Sequence, residues 1–179
     1  MKAWPGPMEA RDWSLGAAGD DMVAEGGVDG RKVLVGLGNR YMKDDGVGLV
    51  VAEELKQSVG GAVAVLVRSS MDLGLLWELR GASLVVIVDA VRTGAQPGTV
   101  TALAATPSVA PLERLPGLHS LELLDVLDLA RSARLDVPPL VLVGVEPSDC
   151  SPGEGLTDPV REAVPRLVAA VREKLGLTG

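Results

Sequence analysis

From Lys32 onward the chain alternates short apolar runs with stretches of helical period. Val33-Leu34-Val35-Gly36-Leu37, Ala62 to Val67, Leu84-Val85-Val86-Ile87-Val88 and Leu140 to Val145 are continuous apolar runs of strand length. Such runs mark strands covered on both faces, as in a parallel sheet. Gly98 to Leu103 follows a Pro97-Gly98 turn, alternates Thr-Val-Thr and reads as a further extended piece. Between the runs, Gly46 to Ser58 sets Val47, Val50, Val51 and Leu55 on one helical face. Leu73 to Leu79 reads as a short helix presenting Leu75, Leu76 and Leu79, and Ser120 to Arg134 as a Leu-rich one. Asp158 to Leu175 is the last helix, with Asp158 as N-cap and Pro159 at the first helical position.

Strands alternating with helices build βαβ units. The predicted fold is therefore a single α/β domain, a three-layer sandwich with a twisted, mainly parallel sheet between helices. The four apolar runs should share that sheet, with the first and third as parallel neighbours. Residues 1–30 hold Trp4 and Trp13 but no sustained period, and read as a flexible leader ahead of an α/β domain over 31–179. No internal repeat is visible. In such sheets ligands sit beyond the carboxyl ends of the strands, so chemistry is sought after Leu37, Val88 and Val145.

Composition narrows the partners. The chain has 179 residues, within the range of one domain. Three Trp, one Tyr and no Phe leave the core to Val, Leu, Ala and Ile. Lys and Arg number 17 against 24 Asp and Glu, for a net charge of −7. Without clustered positive charge or stacking rings, the composition argues against a nucleic-acid partner. No apolar run reaches the ~18 residues of a transmembrane helix, and the N-terminus has no apolar signal region. A cytoplasmic monomer without membrane contacts is expected. The single cysteine, Cys150, can form neither an internal disulfide nor a thiolate cage. The single histidine is His119, so any metal site must combine it with carboxylates.

The loop after the first strand reads Gly36-Leu37-Gly38-Asn39-Arg40-Tyr41-Met42-Lys43-Asp44-Asp45-Gly46-Val47-Gly48. A Gly-rich turn between strand and helix suggests a dinucleotide fold, but Tyr41 stands where GxGxxG needs its third glycine. Asp44 and Asp45 at the helix start would also repel a pyrophosphate. Helix capping accounts for one of these acids and leaves the other unexplained. Asp89 ends the most apolar strand and reads equally as a turn cap or as a site carboxylate. His119 opens the Leu-rich helix. Two carboxylates and the one imidazole, each at a strand end or helix start, suit a borderline divalent ion such as nickel or zinc. A serine hydrolase is disfavoured because Ser69-Ser70 lacks the GxSxG elbow. The HExxH zinc signature is absent too, and Cys150 reads as a loop or core thiol.

Four blocks in this order resemble the nickel–iron hydrogenase maturation endopeptidases, over about residues 32–175. They are Val33 to Asn39 with Asp44-Asp45-Gly46-Val47-Gly48; Val88-Asp89-Ala90-Val91 with Gly94 and Pro97-Gly98; His119-Ser120 before Leu123-Leu124; and Val143-Gly144-Val145-Glu146-Pro147 with Gly155-Leu156-Thr157. The resemblance implies a compact α/β enzyme that removes a C-terminal peptide from the hydrogenase large-subunit precursor. It implies that Asp45, Asp89 and His119 bind nickel already carried by that precursor, with zinc or cadmium as substitutes. Gly38, Asn39 and Asp44 would form the supporting loop, with Asp44 behind the ligands or capping the helix. Two features depart from the family: Glu146 stands where it usually has an amide, and Asp72-Leu73-Gly74 matches its glycine-rich segment only loosely. With no nucleophile evident, attack by water is expected. The competing readings are a non-hydrolytic nickel-dependent binding module or assembly chaperone using the same residues, and a nucleotide-binding α/β protein.

Overall fold

A computed structural model of the chain describes residue 28 and residues 30–105 and 121–177. Five strands form one sheet: β1 (Lys32–Leu37), β2 (Val63–Arg68), β3 (Leu84–Ala90), β4 (Val100–Ala105) and β5 (Leu140–Val145). Their order is β2-β1-β3-β5-β4. The first four in that row run parallel, and β4 closes one edge antiparallel to β5. The four apolar runs are therefore neighbours in one sheet, with β1 beside β3 as their pattern predicts. The extended piece after Pro97-Gly98 lies two residues later than the sequence suggests and becomes the antiparallel edge.

Four helices complete the fold: α1 (Val47–Lys56), α2 (Leu73–Glu78), α3 (Leu121–Ser132) and α4 (Asp158–Leu175). Alternate residues of the strands face opposite layers. Val33, Val35, Val85 and Ile87 pack with Leu75, Leu76, Leu79, Leu127 and Ala130 on the α2–α3 side. Leu34, Val86, Val88 and Val143 pack with Val51, Leu55, Val160, Leu167 and Val171 on the α1–α4 side. A fully buried Val or Leu contributes roughly 1.5–3 kcal/mol, and both layers are built almost wholly from these two residue types. Val28, inside the stretch read as a leader, is fully buried in the α2–α3 layer. Residues 1–27, with Trp4 and Trp13, lie outside the described residues, as do His119 and Ser120.

Two local expectations need correction. Val50 was placed on the core face of the first helix but is 39% exposed; Gly48, Leu49 and Ala52 are buried instead. Gly48 and Ala52 lie on the buried face with Val47, Val51 and Leu55, and Gly48 is where the helix comes closest to the sheet. The N-cap of α4 is Thr157 rather than Asp158, because Asp158 is already helical. The Thr157 side chain makes no cap bond, since its hydroxyl is committed elsewhere.

The close approach of α1 rests on Gly48. A Cβ there would stand 2.2 Å from the Leu37 carbonyl oxygen and 2.4 Å from that of Val88. These are the ends of the two central strands, so Gly48 lets the start of α1 sit over both. Gly48→Ala is expected to cost about 3 kcal/mol by overpacking. Gly61→Ala, where a Cβ meets nothing within 4 Å, should be close to neutral. Thermal melts of the two variants compare them directly; equal melting temperatures would contradict the contact.

Candidate functional site

The site is built from the loops that follow β1, β3 and β5. After β1, Gly38 adopts φ +130, and a Cβ there would stand 1.8 Å from the Asp45 carbonyl oxygen. Only glycine turns the chain there, and the turn brings Asn39 against Asp45. The Asn39 N–H donates to Asp45 Oδ2 at 2.8 Å, and Asn39 Oδ1 accepts the Tyr41 N–H at 3.0 Å. A 3-10 turn over Lys43–Gly46 then leads into α1. Every amide from Tyr41 to Asp45 is engaged within the protein: Tyr41 on Asn39 Oδ1, and Met42, Lys43, Asp44 and Asp45 on the carbonyls of Asn39, Gly153, Asp149 and Met42. A phosphate cradle needs such amides free. The nucleotide-binding reading therefore finds no support in this loop.

Asp44 does not cap a helix and faces no solvent. It is completely buried. Its Oδ2 accepts the N–H groups of Ser148 and Asp149 at 2.8 and 2.9 Å and the Thr157 hydroxyl at 2.9 Å; its Oδ1 accepts the Thr157 N–H at 2.7 Å. Four donors, three on Oδ2 and one on Oδ1, meet the buried charge. All four come from the segment between β5 and α4, so Asp44 is the internal anchor of that segment. Its neighbour Lys43 reinforces the tie. Lys43 takes φ +45, a strained value for a non-glycine residue. Its ammonium pairs with Asp149 and donates to Ser151 Oγ at 2.9 Å. The Lys43 hydrogen bond is the main reason the Asp149 carboxyl is lowered to about 2.

Asp89 follows Val88 at the end of β3, half-buried, with Oδ1 accepting the Ala90 N–H at 2.8 Å. The next loop hangs on Glu146, at the end of β5. Glu146 is buried; its Oε2 accepts the Thr93 N–H at 2.6 Å and the Thr93 hydroxyl at 2.8 Å, and its Oε1 accepts the Gly94 N–H at 3.4 Å. Burial pushes its carboxyl upward, but the summed hydrogen bonds from Thr93, Gly94 and Ala95 outweigh burial and leave it lowered. The acid thus accepts on both oxygens, the two short bonds falling on Oε2 and a long one on Oε1. An acid directly after an apolar strand was the available signal, the same one that singled out Asp89. Nothing in the spacing tied Ser148, Asp149 or Thr157 to Asp44, from which they lie 104 to 113 residues away, although Thr157 falls in the fourth motif block.

The structure therefore brings Asp45 and Asp89 to the carboxyl edge of the two central strands, with Gly38 and Asn39 supporting Asp45. Among the described residues no three His, Cys, Asp or Glu side chains form a metal-ligand group. His119, the third ligand that the family resemblance implies, lies outside them. Cys150 is a half-buried loop thiol. Burial, aided by the charges of Asp45 and Asp44 and opposed by Arg92, raises its pKa, which suits a passive thiol rather than a nucleophile.

The chain is a parallel-centred α/β sandwich with carboxylates in the loops at the carboxyl ends of its central strands, and comparison with known proteins specifies its class. Residues 49–174 match the family model for hydrogenase maturation protease, so the chain belongs to that family. The matched span contains Asp89 and begins after Asp45. Hydrogenase 2 maturation protease of Escherichia coli K12 is 29% identical over 150 residues, covering 80% of this chain and 92% of that protein. A solved structure titled hydrogenase maturating endopeptidase HybD from E. coli superposes with a TM-score of 0.68 at 27% identity, covering 83% of this chain and 94% of the other. The [NiFe] hydrogenase maturation protease HybD from Thermococcus kodakarensis gives 0.64 at 26% identity, covering 80% and 97%. The chain is an endopeptidase of hydrogenase maturation. Among the described residues no helix is long and apolar enough to cross a membrane.

Two predictions follow from the anchor. Asp44→Asn turns an NH2 group toward donors and should lose about 3 kcal/mol of stability. If Asp44 were only a cap, Asn would serve equally well and the chemical-denaturation midpoint would not move. The second concerns acid. A depressed carboxylate stabilises the fold above its unfolded pKa and loses that contribution as pH falls through the folded value. For Asp149 the window runs from 3.8 down to about 2. Asp149→Asn should therefore melt below the parent protein at pH 7 and converge with it near pH 2.

Proposed function

We propose that this chain removes the C-terminal peptide of a nickel–iron hydrogenase large-subunit precursor after nickel has been inserted. The nickel belongs to the substrate, and Asp45, Asp89 and His119 are its recognition ligands. The observation that carries this reading is the position of Asp45 and Asp89 at one edge of adjacent parallel strands, where α/β sheets bind their ligands. Two carboxylates and an imidazole suit nickel as a borderline ion and would accept zinc or cadmium in its place. Precursor without nickel then presents no handle, and cleavage waits for metal insertion. Water is the attacking group, since no activated serine elbow is present and the one thiol is held protonated. The protein works as a cytoplasmic monomer that meets its precursor in solution.

Incubating the purified protein with nickel-loaded precursor should shorten the precursor on a gel, and metal-free precursor should stay intact. His119→Ala and Asp45→Asn should each abolish the shortening while keeping a cooperative melt. Full cleavage by His119→Ala would remove the nickel-recognition reading. Tight, nickel-dependent binding of precursor by the parent protein without any cleavage would favour an assembly chaperone instead.

A further inference from the structure

The loop that holds Asp45 also walls a cavity of about 160 Å3. Gly46, the residue after Asp45, lines it together with Leu49 and Val50 of α1 and Leu156 of the segment before α4. Arg40 and Glu53 line it too; they pair at 3.2 Å with both side chains more than half exposed, and so stand at its mouth. The cavity is tied to the candidate site on two sides. On one, Gly46 packs so closely that a Cβ there would stand 3.2 Å from Arg40 Cα and 3.4 Å from the Asn39 carbonyl oxygen. Asn39 in turn donates its N–H to Asp45 Oδ2 at 2.8 Å. On the other, Leu156 precedes Thr157, whose N–H donates to Asp44 Oδ1 at 2.7 Å. The walls are therefore parts of the same bonded loops that carry the Asp45 carboxylate, and they are fixed before any ligand arrives.

Size and lining decide what enters. Pockets for cofactors and other whole small molecules run to about 300–1,000 Å3, well above this volume. A cavity of about 150 Å3 admits one benzene-sized group, so this one takes a single side chain. Leu49 is buried and Val50 is exposed, and neither they nor Leu156 offer a side-chain hydrogen bond. The Arg40–Glu53 pair is closed on itself, and the ammonium of Lys43, a further lining residue, is taken by Asp149 and Ser151. A charged or amide side chain would lose water here without gaining a partner. An apolar one loses nothing polar and removes Val50 and Leu156 from water.

We infer that this cavity is a specificity subsite of the endopeptidase, which takes one apolar side chain of the precursor. Gly46 adjoins Asp45, and successive Cα atoms stand about 3.8 Å apart, so the seated residue lies within about three positions of the bond that is cut. The inference rests on the reading of the hydrogenase precursor as substrate. A side chain seated between α1 and Leu156 sets the register of the peptide against the loop of Asp45. Binding energy gained away from the reacting atoms is thereby used to orient the scissile bond. A peptide with no apolar residue at that position binds without a fixed register and is cut slowly.

The test is a double-mutant cycle between the cavity and nickel-loaded precursor. Each apolar precursor residue within about three positions of the cut is replaced by Ala, and cleavage is followed for the parent protein and for Val50→Trp, whose ring fills the cavity. At one position the Ala precursor should lower the parent's kcat/KM by about 10-fold or more. Val50→Trp should lose a similar factor on unaltered precursor at an unchanged melting temperature, and should cleave the unaltered and Ala precursors almost equally. If Val50→Trp melts early, Val50→Asp, which puts a charge on the cavity wall, makes the same comparison. Losses that simply multiply at every position, or a parent indifferent to every Ala precursor, overturn the subsite and leave the endopeptidase standing. A parent that leaves nickel-loaded precursor intact overturns the precursor reading and the subsite with it.

Discussion

The buried carboxylate of Asp44 is the constraint on which the rest of the site depends. An ionised side chain withdrawn from water costs several kcal/mol unless donors meet its charge, and here four donors from one distant segment do so. The segment between β5 and α4 has little regular structure of its own. It is held by Asp44, by the Lys43–Asp149 pair and by a parallel bridge between Met42 and Gly153. Because Asp45 is the next residue along the chain, the same anchor that orders the segment also sets the position of a candidate ligand.

Glu146 does for the second loop what Asp44 does for the third. Both are buried acids at the carboxyl edge of the sheet, and both spend their oxygens on backbone amides rather than on solvent. The loops after β1, β3 and β5 are thereby cross-tied in both directions. Asp45 and Asp89 keep more exposure than these two acids. The division is physical: the two acids whose oxygens are taken by backbone amides are buried and hold loops together, while Asp45 and Asp89 stay partly exposed. Membership of the maturation protease family agrees with such an edge, since a peptidase site works best when its loops are fixed before the substrate arrives.

The apolar runs, their lengths and the helical periods determined the α/β class, the strand set and the last helix. These are local signals: a run buried on both faces has to be apolar wherever it sits in the sheet. The places of Gly38 and Asn39 in a turn and of Asp89 at a strand end were legible as well, because turns and strand ends have their own residue preferences. The β4 edge, the exposure of Val50 and the shift of the α4 cap to Thr157 were not, since each follows from what lies across the sheet or across the loop. Asp44 is the sharpest case. Beside Asp45 in sequence it looks like an equivalent acid, and only the fold separates them, by carrying donors from more than a hundred residues away onto one and leaving the other partly exposed. Hydrogen-bond partners at that separation leave no periodic trace in a chain, so the role of Asp44 as the anchor of a distant segment belonged to the tertiary structure alone.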